Sequence, residues 1–188
     1  MIFWFWFDEF QQVAAELEEL LDGSTAHSRC LLQEGAALRD QIEHVYWNDA
    51  LGIHAIAVDE AGRQCDIVSS NPGHLLWAGV LGESRAKAVA DRLMRPDMMT
   101  GWGMRSLSNT EERYNPLSYH NGSIWPHDNA MFAAGCEHYG LTEVSDRIWQ
   151  ALLESAQQFP AHRLPELFGG YDRVSGRPPS ASADSWSP

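Results

Sequence analysis

Basic residues are scarce: 13 Lys and Arg stand against 26 Asp and Glu in 188 residues, a formal net charge of −13. Such a surface repels polyanions on average, which argues against nucleic acid as a partner and favours a neutral ligand such as a carbohydrate. Cysteine is scarcer still. Cys30, Cys65 and Cys136 are odd in number, far apart and in no CxxC spacing. Neither a disulfide framework nor a zinc site is expected from them, and the cytoplasm is the expected compartment. No apolar run approaches the roughly 20 residues that cross a bilayer. The opening MIFWFWF is only about seven residues long and has no basic flank, so it reads as a buried edge and not as a membrane segment.

Tryptophan, by contrast, is abundant, with eight copies. Indole rings fill cores more often than they stack on sugars, so no single Trp decides between the two uses. Hydrophobic residues at 44% and charged residues at 21% give the balance of a packed soluble domain, or of a piece of a larger one.

Along the chain, DEFQQVAAELEELLD (8–22) places Phe10, Val13, Leu17, Leu20 and Leu21 at helical spacing, and Gly23 ends it. Ser24 or Thr25 can cap a second helix through AHSRCLLQEGAALRDQIEHVYW (26–47), and the two predict an antiparallel pair. In GIHAIAVDEAGRQCDIV (52–68) the alternation of Ile53, Ala55 and Ala57 with their neighbours predicts a small hairpin turning at DEAGR. After the Asn71-Pro72-Gly73 turn, HLLWAGVLG and ESRAKAVADRLM predict a helix pair broken at Gly82 and closed by Pro96. Ser123 is the expected N-cap of a helix that carries Pro126 in its first turn and ends at Gly140, with Thr142 to Phe159 as its partner. Beyond Tyr171 the text is rich in Ser and Pro and predicts a loop or disordered tail. Helix pairs with one hairpin inserted predict an all-α array or toroid, and three pairs on their own would leave a wide apolar edge exposed.

Polar and aromatic side chains crowd YNPLSYHNGSIWPHDNA (114–130). His120, His127 and Asp128 raise the question of a metal, yet no second ligand pair follows at helical spacing and carboxylates are few, so none is expected. A Ser123–His127–Asp128 triad fails on geometry, because adjacent helical residues point about 100° apart. What remains is a helix N-terminus at which Tyr119, His120, Trp125, His127 and Asp128 can meet sugar hydroxyls, or simply pack and satisfy local backbone. In RLPELFGGYDR, Glu166 follows Pro165 among Leu164, Leu167 and Phe168, surroundings that would alter a carboxyl group's proton affinity and suit it to acid–base work; a helix-start glutamate is the alternative. GWGMR (101–105) offers Trp102 for stacking and Arg105 as a fixed donor fork, or else a buried Trp beside an ion-paired Arg.

Five segments, YWNDALGIHAIAVDEAGR, SNPGHLLWAGV, GWGMRSLS, YNPLSYHNGSIWPHDNA and LPELFGGYDR, stand in this order over Val45 to Arg173. Together they resemble the C-terminal half of bacterial glycogen-debranching-type proteins, the amylo-α-1,6-glucosidase relatives among the six-hairpin glycosidases. The resemblance implies a partial (α/α)6 toroid over residues 1–173, followed by a Ser/Pro-rich tail, 174–188. It implies inverting hydrolysis of α-glucosidic bonds, with two carboxyl groups roughly 6.5–9.5 Å apart flanking the bond and a water. Glu166 matches the general-base loop. Trp102, Arg105, Tyr119, His120, Trp125, His127 and Asp128 are the implied substrate-binding residues, with an α-glucan or oligosaccharide as substrate and no cofactor. The family's general acid sits in a GWKDS-like context that this sequence does not contain, and Asp8 does not match it. The chain is therefore expected to hold half an active site, with the missing half of the barrel as a partner. The competing expectation is a non-catalytic carbohydrate-binding remnant.

Overall fold

A computed structural model describes residues 13–174 and 178–180. The start of the first helix at Asp8, the MIFWFWF edge, and tail positions 175–177 and 181–188 lie outside the described residues. Among the described residues there are six α-helices and one two-stranded sheet. None of these helices is long and apolar enough to cross a membrane.

The first helix, α1, covers residues 13–22 and stops at Gly23, which adopts the left-handed φ of 75° that a side chain resists. The second, α2 (Ala26–Val45), opens on a reciprocal capping box. Thr25 Oγ1 accepts from the Ser28 amide at 3.0 Å, and Ser28 Oγ accepts from the Thr25 amide at 3.0 Å. Leu20 and Leu21 on α1 are 82% and 81% exposed, and Val13, Leu17, Leu32 and Val45 are exposed as well.

The hairpin forms, but not where alternation placed it. Strands β1 (Trp47–Asn48) and β2 (Ile53–His54) pair antiparallel, Trp47 with His54 and Asn48 with Ile53. The expected DEAGR turn is present, with Asp59 Oδ1 accepting from the Ala61 and Arg63 amides, yet only one bridge, Val58 to Gln64, flanks it. The reason lies in burial: Ile53, His54 and Ala55 are all buried, so their alternation in sequence does not mark an inside and an outside face.

Helices α3 (Gly73–Trp77), α4 (Glu83–Leu93), α5 (Pro126–His138) and α6 (Thr142–Ala156) enclose the main core. Leu75, Leu76, Val89, Leu93, Met98, Met104, Phe132, Ile148 and Leu152 meet there, and full burial of each large apolar side chain contributes about 1.5–3 kcal/mol. The α3–α5 contact is unusually close. A Cβ built on Gly135 would stand 2.4 Å from the Trp77 amide nitrogen, so only glycine lets the two backbones approach this far. Helix α5 ends as expected. Gly140 is left-handed, its N–H reaches the Glu137 carbonyl, and the Leu141 N–H reaches that of Cys136, the two bonds of a Schellman cap.

Several boundaries differ from expectation: α2 ends at Val45, short of Trp47 where β1 begins, and α3 ends at Trp77, before the left-handed Gly79 and short of Gly82. Trp125, not Ser123, is the N-cap of α5, and it caps with no side-chain bond. Ser123 Oγ turns back instead, donating to the Tyr119 carbonyl at 2.9 Å and accepting from Trp125 Nε1 at 3.0 Å. Helix α6 ends at Ala156, short of Phe159. The described tail residues are not free of the body: Pro179 is buried, and the Ser180 carbonyl accepts from the Gly169 amide at 2.7 Å.

Candidate active site

Short extended segments, not helices, set the two candidate loops side by side. Single antiparallel bridges join Met99 to Met104, Arg105 to Ile124, and Ile124 to Phe168. Ile124 and Phe168 exchange both backbone bonds, at 2.8 and 2.9 Å. Two residues after Ile124 stands Pro126, the first residue of α5, and two before Phe168 stands Glu166. Gly170 makes the approach possible, since a Cβ there would lie 1.7 Å from the Gly122 carbonyl oxygen. Asn129 locks α5 to the same scaffold: its amide donates to the carbonyls of Met104 and Trp125, and its Oδ1 accepts from the Met104 amide at 2.6 Å.

Arg105, expected as a donor fork for the ligand, is 1% exposed and fully engaged elsewhere. Its Nε donates to the Gly170 carbonyl at 2.8 Å and to Tyr114 Oη, its Nη1 donates to the carbonyls of Pro96 and Asp97, and its Nη2 pairs with Asp172. All of these partners belong to the protein, so this guanidinium stitches the 96–105 segment to the extended segment that follows Glu166. Trp102 also lies apart from the cluster around Trp125. It is 6% exposed, packs with Ile124 and Phe168, and lies under the Arg173 guanidinium at 4.3 Å. Its ring borders a different cavity, of about 470 Å³, with Tyr171 and Asp172.

The other five binding candidates do come together. His120, Trp125, His127 and Asp128 line one cavity of about 260 Å³ with Ser70, Asn71, His74 and Ser106. His120 stacks parallel to the Trp125 indole at 6.0 Å, and His127 meets that indole edge-on at 5.4 Å. Tyr119 stands edge-on to both Trp125 and His120 at 4.7 Å. Asp128 is buried and bonded to His74 Nε2 on α3, 54 positions earlier in the chain, so it does more than satisfy local backbone.

Glu166 joins this group through one contact: Tyr119 Oη donates to Glu166 Oε1 at 2.7 Å. That bond to a carboxylate, with the adjoining negative charge, holds the Tyr119 phenol above its ordinary value of 10.0. The expected apolar enclosure of the carboxylate does not form, because Leu167 and Phe168 turn into the core while Glu166 stays exposed. Among the described residues no group of three His, Cys, Asp or Glu side chains is placed to hold a metal ion.

Ser70, Asn71, His74 and Ser106 are cavity residues that sequence reasoning misses. The signal available is weak: SNPG reads as a turn, and only the histidine directly after it marks the spot.

The fold is a known one. The mannosylglycerate hydrolase of Thermus thermophilus, solved in complex with glucose, superposes with a TM-score of 0.72 at 19% identity, covering 94% of this chain and 43% of that one. Neutral trehalase Nth1 of Saccharomyces cerevisiae superposes with a TM-score of 0.72 at 14% identity, covering 89% of this chain and 33% of that one. The chain thus spans less than half the length of these proteins. A search of curated protein sequences finds no match. The sequence profile of the mannosylglycerate hydrolase MGH1-like glycoside hydrolase domain matches residues 11–177. The chain therefore belongs to the MGH1-like glycoside hydrolase family, within the six-hairpin glycosidases.

Proposed function

We propose that this chain serves inverting hydrolysis of an α-glycosidic bond, with Glu166 as the general base that takes a proton from the attacking water. His120, Trp125, His127 and Asp128 hold the sugar ring, and Tyr119 joins that wall to the base. One observation carries the reading: the exposed carboxylate is bonded, through Tyr119, to the rings that line the cavity. A stacked imidazole and indole beside polar side chains match the apolar faces and hydroxyls of a pyranose. The cavity, at about 260 Å³, is smaller than the roughly 300–1,000 Å³ of drug-sized ligand sites, so it suits one ring and not a chain.

The amylo-α-1,6-glucosidase subtype, with a glycogen-like substrate, is the finer reading that the ordered motifs support. The MGH1-like profile and the small cavity support a short glycoside instead, a mannosyl or glucosyl unit on a small aglycone. In either case the described residues up to Arg173 make up part of an (α/α)6 toroid, and the second carboxyl group comes from outside the residues described. A panel of mannosylglycerate, maltose, trehalose and a limit dextrin, assayed with the half of the barrel that supplies the second carboxyl group present and with the anomer of the first-formed sugar followed by proton NMR, tests the proposal. The expected result is release from a short glycoside with inverted configuration. Retained configuration would refute inversion, and release from limit dextrin alone would restore the debranching subtype.

A further inference from the structure

An exposed glutamate has several freely rotating bonds, and a general base must hold one oxygen against one water. The structure contains a restraint for this. Tyr119 Oη donates to Glu166 Oε1 at 2.7 Å, while Oε2 has no partner among the described residues. Tyr119 is itself fixed at both ends. Its carbonyl accepts from Trp125 Nε1 at 3.0 Å and from Ser123 Oγ at 2.9 Å, and its ring is wedged edge-on between His120 and Trp125.

We propose that Tyr119 is a positioning residue for Glu166, holding Oε1 so that Oε2 is the oxygen that accepts the proton of water. The inference rests on Glu166 being the general base. In the step it serves, the water oxygen bonds to the anomeric carbon, the leaving group departs with the bonding pair, and the water proton passes to Oε2. Tyr119 keeps its own proton throughout. Its hydroxyl, already bonded to the carboxylate, serves the base and not the sugar, so Tyr119 moves from the set of ligand contacts to the machinery behind the base. The phenol is also tied to the sugar wall, since the indole that would stack on the ring is the one that holds the Tyr119 carbonyl.

The test uses α-D-glucosyl and α-D-mannosyl fluoride, because fluoride leaves without protonation and the rate then reports the base alone. Misplacing a reacting group by about 1 Å costs up to about 10²-fold in rate. Tyr119→Phe, which keeps the ring packing, is expected to lower kcat by about tenfold or more with KM within about twofold of wild type. A phenol that touches sugar would instead raise KM with kcat intact, which overturns the inference. Unchanged kcat in Tyr119→Phe beside an inactive Glu166→Gln overturns positioning while leaving the base in place. Wild-type release no faster than that of Glu166→Gln overturns the base, and this inference with it. A second measurement needs no turnover: the Tyr119 phenol, followed by carbon NMR, should titrate lower in Glu166→Gln than in wild type. Equal titration means that the contact does not exist in solution, and overturns the inference even if Tyr119→Phe does not fold.

Discussion

His54 should make the stability of this protein depend on pH in a way that one substitution removes. The ring is 2% exposed, packs edge-on against Trp47 at 5.0 Å, and has no hydrogen-bond partner on either nitrogen among the described residues. Burial, helped by the charge of Arg85, lowers its pKa from the ordinary 6.5 to about 4. Between those values the unfolded chain binds a proton that the folded chain refuses, so stability is complete above pH 6.5 and is lost as pH falls toward 4. A shift of this size corresponds to about 3 kcal/mol in full, of which about 2 kcal/mol is already lost at pH 5. Urea unfolding of wild type and His54→Leu at pH 7.5 and pH 5 reads this directly, because the other titrating groups are common to both and cancel in the difference. At pH 7.5 the variant should be about as stable as wild type, since an apolar side chain replaces two unpartnered polar atoms. Wild type should then lose about 2 kcal/mol more than the variant on going to pH 5. Equal losses in the two proteins would refute the reasoning and show that His54 gains a proton without cost in the folded state.

Gly135→Ala should destabilise the fold by about 1–3 kcal/mol through overpacking, despite the better helix propensity of alanine, because its methyl meets the α3 backbone; thermal melting checks this. Arg105→Met should cost about 1–3 kcal/mol, because three carbonyls lose a donor while the exposed Asp172 carboxylate stays hydrated, and chemical denaturation measures it. Trp125→Ala should abolish binding of glucose and mannose in calorimetry while the circular dichroism of the helices is retained. Binding that survives would remove the indole from the sugar wall.

Much of the helical layout was legible because its signals are local. Thr25, Gly23, Pro126 and Gly140 each act within a turn of their own helix, and apolar spacing marks the faces that pack. Glu166 and the 119–128 cluster were legible as motifs, and the structure ties them through the Tyr119 hydroxyl. What was not legible depends on partners distant in sequence. Arg105 looks like a ligand contact in the text but is bonded to residues 65 and 67 positions later, and the histidine that fixes Asp128 at the cavity wall lies 54 positions earlier. The hairpin was displaced for the same reason: β2 is covered on both faces by packing that no local alternation encodes.

The central claim is that the Glu166 carboxylate takes the proton of the attacking water. Fluoride release from an α-glycosyl fluoride by wild type and by Glu166→Gln, with sugar affinity measured on both by calorimetry, tests it most directly. The account predicts a fall of about 10²–10⁴-fold in rate with affinity unchanged. Equal rates, or a fall explained wholly by lost affinity, would contradict it.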